Sequence, residues 1–173
     1  MHKMEFVKPV EDILKKNKQA FFTKNYKEIT QKDLDKAKKV IICGTSLRDN
    51  GFIFNENLHF WMWIRDFNKP LLGICGGMQI IGKIFRANVC KETEIGFYKE
   101  RFHKEFLGLN DWHEVYHLHN YYSDFSNIDE FEVCCSSDSE IAQAVRHTSK
   151  KIYGVLFHPE VRQKQLIENF SKL

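Results

Sequence analysis

Lys69-Pro70-Leu71-Leu72-Gly73-Ile74-Cys75-Gly76-Gly77-Met78-Gln79-Ile80-Ile81-Gly82 is the stretch that decides the fold. The apolar run from Leu71 to Ile74 reads as a buried parallel strand. It runs straight into a cysteine flanked by glycine at i−2 and i+2, and an apolar-periodic segment then reads as a helix to about residue 85. Strand, sharp turn with a nucleophile at its apex, helix: this is the geometry of a nucleophile elbow, written G-x-C-x-G instead of G-x-S-x-G. The apex backbone of such an elbow is strained, and side chains at the flanking positions would collide with strand or helix, so glycine is required there. Cys75 is therefore the candidate nucleophile.

Outward from the elbow, residues 39–44 form a second strand, charged before and apolar within, ending in the loop 44–51. Residues 54–65 read as a helix with Leu58, Trp61, Met62 and Ile64 inward. Residues 6–16 read as an amphipathic helix through Phe6, Val10, Ile13 and Leu14, residues 19–23 as a candidate strand, and Thr30 as the cap of a short helix through Leu34 and Ala37. That alternation predicts a parallel sheet covered on both faces. The second half changes character. Residues 89–97, 114–119, 131–136, 141–146 and 152–157 are short strand candidates between polar turns, suited to an antiparallel extension of the sheet. Residues 161–173 close the chain as an amphipathic helix through Val161, Leu166, Ile167 and Phe170. With no repeat, linker or low-complexity segment, residues 1–173 read as one α/β domain. Residues 1–4 are too short and polar for the strand that opens doubly wound folds. The first strand is expected to be missing or to lie upstream, leaving a gap beside the 40–43 strand.

The chain has 173 residues, 43% hydrophobic and 14% aromatic, which is globular composition. A formal charge of +3 argues for neither nucleic acid nor an anionic membrane, and the N-terminal lysines interleave with acids as solvated helix faces do. There is no signal peptide and no stretch long enough to span a bilayer. Five cysteines, an odd number with Cys134 and Cys135 adjacent, speak against a disulfide framework and for a reducing cytoplasm.

A second constellation stands near the C-terminus: Gly154-Val155-Leu156-Phe157-His158-Pro159-Glu160. In extended backbone, residues i and i+2 face the same side. Pro159 fixes its own φ and biases His158 toward extended geometry. An imidazole and a carboxylate are thus presented together, as a cysteine nucleophile requires: a base for its proton and an acid group to hold the tautomer of that base.

With these two motifs in hand, the sequence resembles the class I (triad) glutamine amidotransferases. Gly73-Ile74-Cys75-Gly76-Gly77-Met78-Gln79 matches their G-x-C-x-G-x-Q, and His158-Pro159-Glu160 matches their late H-P-E. The resemblance implies a flavodoxin-like, three-layer, mostly parallel sheet. It implies hydrolysis of L-glutamine to glutamate and ammonia through a thioester, with the ammonia passed to a separate synthase. It assigns Cys75 as nucleophile, His158 as base and then acid, and Glu160 as the group that orients His158. The backbone N–H groups of Gly76 and of the Gly44 loop become the oxyanion donors, although Cys43-Gly44-Thr45-Ser46 lacks the proline the family usually carries there. Gln79 and Ser46, with Asn120 and Tyr121 in a loop after a strand, correspond to substrate-binding positions. The form Gly-Ile-Cys-x-Gly-Met-Gln leans toward the glutaminase that serves GMP synthase.

Trp112 to Tyr122 is rich in histidine and aromatics, but no His-Glu-x-x-His occurs and no Cys or Asp stands at ligand spacing nearby. The His117-Leu118-His119 alternation therefore reads as a strand, and no metal or other cofactor is expected. Glu94-Ile95-Gly96 resembles a Glu-x-Gly element of several family branches. Cys43, Cys90, Cys134 and Cys135 read as small core or sheet residues. The aromatic group Phe52, Phe54, Phe60, Trp61 and Trp63 reads as core, any exposed part of it suiting a partner protein. Two other functions remain open at this point: a self-sufficient γ-glutamyl hydrolase with the same triad, and a non-catalytic module on the same fold.

Overall fold

The computed structural model describes residues 3–48, 51 and 57–173. Strands β1 (Val40–Ile42), β2 (Leu71–Ile74), β3 (Asn88–Phe106), β4 (Leu109–Asp124), β5 (Phe131–Ser136), β6 (Ala142–His147) and β7 (Ile152–Val155) form one sheet in the order β1-β2-β7-β6-β5-β3-β4. Pairing is parallel from β1 to β2 and from β2 to β7, and antiparallel in the rest. The expected antiparallel extension is thus the larger share of the sheet. Four helices accompany it: α1 (Lys8–Lys16), α2 (Gln31–Lys36), α3 (Gly76–Ile84) and α4 (Gln165–Lys172).

The sheet carries a core on each face, and β2 feeds both. Leu72 and Ile74 join Val10 and Ile13 of α1 and Leu166, Ile167 and Phe170 of α4 on one side. Leu71 joins Met78, Ile80, Ile81 and Ile84 of α3 with Trp61 and Ile64 on the other. Side-chain alternation along a strand buried on both faces produces this division. It is the three-layer α/β arrangement expected from the sequence.

Several local expectations hold in detail. Thr30 caps α2 through a capping box, its hydroxyl accepting from the Asp33 backbone while the Asp33 carboxylate accepts from the Thr30 backbone. The elbow strand and the 131–136 strand begin and end where expected. Others differ. Residues 19–23 form no strand. They run over the surface, with Phe21 and Phe22 exposed beneath the ammonium groups of Lys15 and Lys36. The helix expected at 54–65 is a 3₁₀ helix over Leu58–Arg65, its first residues lying outside those described. At three residues per turn, Leu58, Trp61, Ile64 and the following Phe67 share one face, so Met62 points to solvent instead of inward. Tyr26 stacks on Trp61 with ring centroids 5.0 Å apart, which puts this part of the aromatic group in the core; Phe52 and Phe54 lie outside the described residues.

The strands expected at 89–97 and 114–119 are parts of one long hairpin, β3–β4. It closes at Leu107 and Gly108, both with positive φ, the geometry that matches strand twist in tight hairpins. At the other end of the chain, residues 3–16 are helical. Among the described residues β1 has β2 as its only strand neighbour, so no strand fills the gap expected beside it.

The elbow glycines are explained by mutual contact. A Cβ at Gly73 would lie 2.6 Å from the Gly77 carbonyl oxygen, and one at Gly77 would overlap the Ile42 carbonyl. Helix α3 therefore sits directly on the backbones of β1 and β2. Gly77→Ala should push the helix off β1 and lower stability by about 2–3 kcal/mol, the cost of overpacking a close-packed interior. A urea midpoint unchanged from the parent would contradict this.

Candidate active site

The carboxyl ends of β1, β2 and β7 converge, the usual location of sites in open α/β sheets. Cys75 follows β2 directly, with φ 49° and ψ −105°. For a side-chain-bearing residue this is a strained conformation. It is held from both sides: the Cys75 N–H donates to the Val155 carbonyl at 2.7 Å, and the Cys75 carbonyl accepts from Gln79 N–H at 3.1 Å as α3 begins. The side chain is 3% exposed, and its sulfur lies 3.7 Å from the Leu118 carbonyl oxygen. The positive end of the α3 dipole points at it.

His158 and Glu160 do not extend a strand, contrary to the expectation from sequence. β7 ends at Val155, and residues 156–160 turn away from the sheet. The His158 N–H bonds the Tyr116 carbonyl at 2.8 Å, and its own carbonyl accepts from Val161. The two side chains still meet: His158 Nδ1 and Glu160 Oε1 are 2.8 Å apart, both groups buried. The carboxylate holds the proton on Nδ1, and Nε2, which has no nitrogen or oxygen partner among the described residues, is left to the sulfur and to substrate. Phe6, beyond the reach of motif reading, packs on the imidazole at 5.5 Å between ring centroids. Burial disfavours the charged imidazole, but the Cys75 sulfur and the Glu160 carboxylate outweigh it and raise the His158 pKa to about 10.

Gly44 lies against both reacting groups. A Cβ there would sit 2.7 Å from His158 Cε1 and 3.3 Å from Cys75 Cβ, so only glycine lets this loop come so near. Gly76 is the first residue of α3, immediately after the nucleophile. Ser46 lies half-buried in the loop after Gly44. Gln79 is no surface residue: it is buried, and its Nε2 donates to the Tyr121 carbonyl at 2.5 Å. Asn120 donates from Nδ2 to the Leu47 carbonyl at 3.4 Å, tying β4 to the Gly44 loop. Asn120 and Tyr121 lie inside β4 and not in a loop after it, because pairing with β3 resumes beyond a bulge at residues 91–94, where Lys91 faces Tyr121. Cys75, His158, Glu160, Gly44 and Gly76 are thus brought together, with Gln79, Ser46, Asn120 and Tyr121 around them.

The other thiols differ in surroundings. Burial is the main cause that pushes Cys43 up to about 12 and Cys134 up to about 11, and it raises Cys135 as well. These three should resist alkylation near neutral pH while Cys75 reacts. Peptide mapping after brief iodoacetamide treatment checks this; equal labelling of Cys134 and Cys75 would contradict it.

Behind β4 lies a second polar cluster. Glu94, Glu100, His117, His119 and Gln143 are all buried. Glu94 Oε2 is 2.9 Å from His119 Nε2 and accepts from Gln143 Nε2 at 2.9 Å. Burial pushes the Glu94 carboxyl up, but its bonds to His119 and Gln143 outweigh this and hold it below the ordinary value. In the sequence, Glu94 and the two histidines stand out only separately. Gln143 stands 49 residues from Glu94, and no local signal links them.

Comparison with known proteins agrees with this geometry. The family model for glutamine amidotransferase class-I matches residues 9–171. The protein of Methanosphaera stadtmanae named as one of two separate chains of a glutamine-hydrolysing GMP synthase is 36% identical over 121 residues, 64% of this chain and 63% of its own. Its counterpart from Thermoplasma acidophilum is 37% identical over 109 residues, 60% of this chain and 54% of its own. The chain thus matches less than two thirds of the length of these relatives. A crystal structure of a protein assigned as that same GMP synthase component, from Thermoplasma acidophilum, superposes with a TM-score of 0.85 at 26% identity, covering 96% of this chain and 86% of that one. A glutamine amidotransferase from Thermotoga maritima, at 23% identity and a TM-score of 0.71, shares the fold over 99% of this chain and 76% of its own. No helix among the described residues is long and apolar enough to cross a membrane. With the elbow cysteine, the His-Glu pair and the family match over residues 9–171 in agreement, the chain belongs to the class I glutamine amidotransferases.

Proposed function

We propose that this chain hydrolyses L-glutamine to glutamate and ammonia through Cys75, His158 and Glu160, and delivers the ammonia to a separate synthase subunit, that of GMP synthase. The observation that carries the reading is the buried His158–Glu160 pair, 2.8 Å apart, beside a strained elbow cysteine. The resemblance to proteins named for GMP synthase supports the choice of partner. Free thiols at Cys43, Cys75, Cys90, Cys134 and Cys135 suit a reducing compartment such as the cytoplasm.

The steps follow from the groups present. The Cys75 thiol gives its proton to His158 Nε2, and the sulfur attacks the side-chain carbonyl carbon of glutamine. The N–H groups of Gly76 and of the Gly44 loop take up the charge on the resulting oxyanion. The imidazolium then protonates the leaving nitrogen, ammonia departs, and a thioester remains on Cys75. Neutral His158 next takes a proton from water, and the hydroxide equivalent attacks the thioester. Collapse expels the sulfur and releases glutamate, restoring the starting state. Gln79 and Asn120 keep the Tyr121 backbone and the Gly44 loop in register around the substrate.

The triad is nearly closed, with Cys75, His158 and Glu160 at 3%, 1% and 3% exposure. That closure favours a chain whose turnover rises when a partner opens or reshapes the site. The test is glutamate formation by the purified chain, on its own and with the synthase that co-purifies with it. Strong stimulation is expected. Full turnover in isolation would favour the self-sufficient hydrolase, and a chain that neither turns over glutamine nor is labelled at Cys75 by a glutamine-like diazoketone would favour a non-catalytic module.

A further inference from the structure

We propose that Glu94, His117 and His119 form a structural Zn²⁺ site behind the catalytic strand. The three donor atoms lie within 4.8 Å of one another, all on buried residues. Glu94 Oε2 to His119 Nε2 is 2.9 Å, His119 Nε2 to His117 Nδ1 is 3.3 Å, and His117 Nδ1 to Glu94 Oε2 is 3.7 Å. A tetrahedral zinc with ligands at about 2.0–2.1 Å has ligand-to-ligand edges of about 3.3 Å. The triangle therefore needs only a few tenths of an ångström of adjustment on each edge.

Strand geometry explains the convergence. His117 and His119 are two apart on β4 and share a face, and Glu94 on β3 is the register partner of His119. The register shift between Lys91 and Glu94 sets that pairing. Across from His117 stands Gly96, which has no side chain to fill the space. The ligand missing from the sequence around the histidines is thus supplied across the hairpin.

Outer partners complete the pattern. Metal-bound imidazoles usually offer their second nitrogen to a carboxylate, and ligating carboxylates are themselves hydrogen-bonded. His117 Nε2 faces Glu100 Oε1 at 3.5 Å, and Glu94 Oε2 accepts from Gln143 Nε2 at 2.9 Å. As a hydrogen-bond network alone the cluster is poorly satisfied. Both of the His117 carboxylate contacts exceed ordinary hydrogen-bond length, and His117 Nε2 and Gln143 Oε1, on fully buried side chains, have no hydrogen-bond partner among the described residues. Two buried carboxylates facing two imidazoles are neutralised by one divalent cation, and Gln143 Oε1 or a water is available as fourth ligand. Two imidazoles and a carboxylate suit zinc, whereas calcium and magnesium prefer oxygen alone.

Such an ion would act at a distance from the chemistry. Leu118, between the two histidines, places its carbonyl 3.7 Å from the Cys75 sulfur, and Tyr116 holds the His158 backbone. The ion would fasten this part of β4 to β3.

The test uses the full-length chain carrying Cys75→Ala, so that the active-site thiol cannot take the ion. After treatment with a chelator, Co²⁺ is titrated in as the spectroscopic substitute. One equivalent should bind with the visible ligand-field bands of a four-coordinate ion and without thiolate charge transfer, and Zn²⁺ should displace it. Glu94→Gln and His117→Asn should each weaken binding by about 100-fold, the order lost with a ligand or its support. Zn²⁺ should also raise the melting temperature of the otherwise unaltered chain, where Mg²⁺ does not. This second readout keeps the test valid if the variants fold poorly. Absence of Co²⁺ bands, bands with thiolate character, or an unchanged melting temperature with Zn²⁺ would overturn the site and leave the cluster to protons alone. None of these readouts depends on glutamine turnover.

Discussion

Cys75→Ala should abolish glutamine hydrolysis, by about 10⁴-fold or more, because the nucleophile and its base act as a unit and neither substitutes for the other. Labelling by a glutamine-like diazoketone should vanish with it. The loss must be chemical and not a failure to fold. Removing one buried sulfur, with its single contact to the Leu118 carbonyl, should cost only about 1 kcal/mol. A second substitution separates strain from chemistry. The φ of 49° at residue 75 is as unfavourable for alanine as for cysteine, whereas glycine adopts it freely. Cys75→Gly should therefore be equally inactive yet more stable than Cys75→Ala by about 1 kcal/mol. Turnover by either variant above about 1% of the parent would refute the nucleophile assignment, and equal urea midpoints for the two would refute the strain.

Glu160→Gln should lower turnover by about 10²–10⁴-fold with little change in binding, because an amide no longer enforces the Nδ1–H tautomer or stabilises the imidazolium. The pH dependence gives a sharper readout. His158 has a folded pKa of about 10 against an ordinary value of 6.5. Since the folded value is the higher one, the protonated imidazole contributes stability fully at pH below the unfolded value, and the contribution is lost as pH rises through the folded one. The wild-type urea midpoint should therefore fall between about pH 7 and about pH 10. Glu160→Gln removes one of the groups that raise the pKa, so its decline should begin and end at lower pH, and the basic limb of activity should move the same way. Parallel stability profiles for the two proteins would show that Glu160 does not act through His158.

Much of the site is legible in the sequence. The elbow is readable because backbone sterics leave few residue types at its flanks, and Gly73 and Gly77 do press on backbone as that argument requires. The His-Pro-Glu tripeptide is readable because its chemistry is carried by three adjacent residues, although the supporting strand ends earlier than expected and a turn makes the presentation. The capping box at Thr30 is readable for the same reason of locality. Where local signals are ambiguous, expectation and structure part. Residues 19–23 carry two phenylalanines and look like a strand, but no neighbour in the sheet accepts them and lysine side chains cover the rings instead. The long hairpin reads as two separate strands because its turn, Leu107-Gly108, is a weak composition signal and the strands on either side are rich in charge. The inward placing of Met62 assumes 3.6 residues per turn where the backbone has three.

By itself the sequence determined the nucleophile, its base and orienting acid, the glycines around them and the α/β class, because each of these depends on residues close together in the chain and on backbone sterics that act locally. Only the tertiary structure decided that Phe6 covers His158, that Gln79 grips the Tyr121 backbone, that Asn120 and Tyr121 lie within a strand, and that Glu94 and Gln143 meet the two histidines. Those meetings depend on strand register and on the stacking of layers. Both are set by the summed burial of the two cores, and no short stretch of sequence reports that sum.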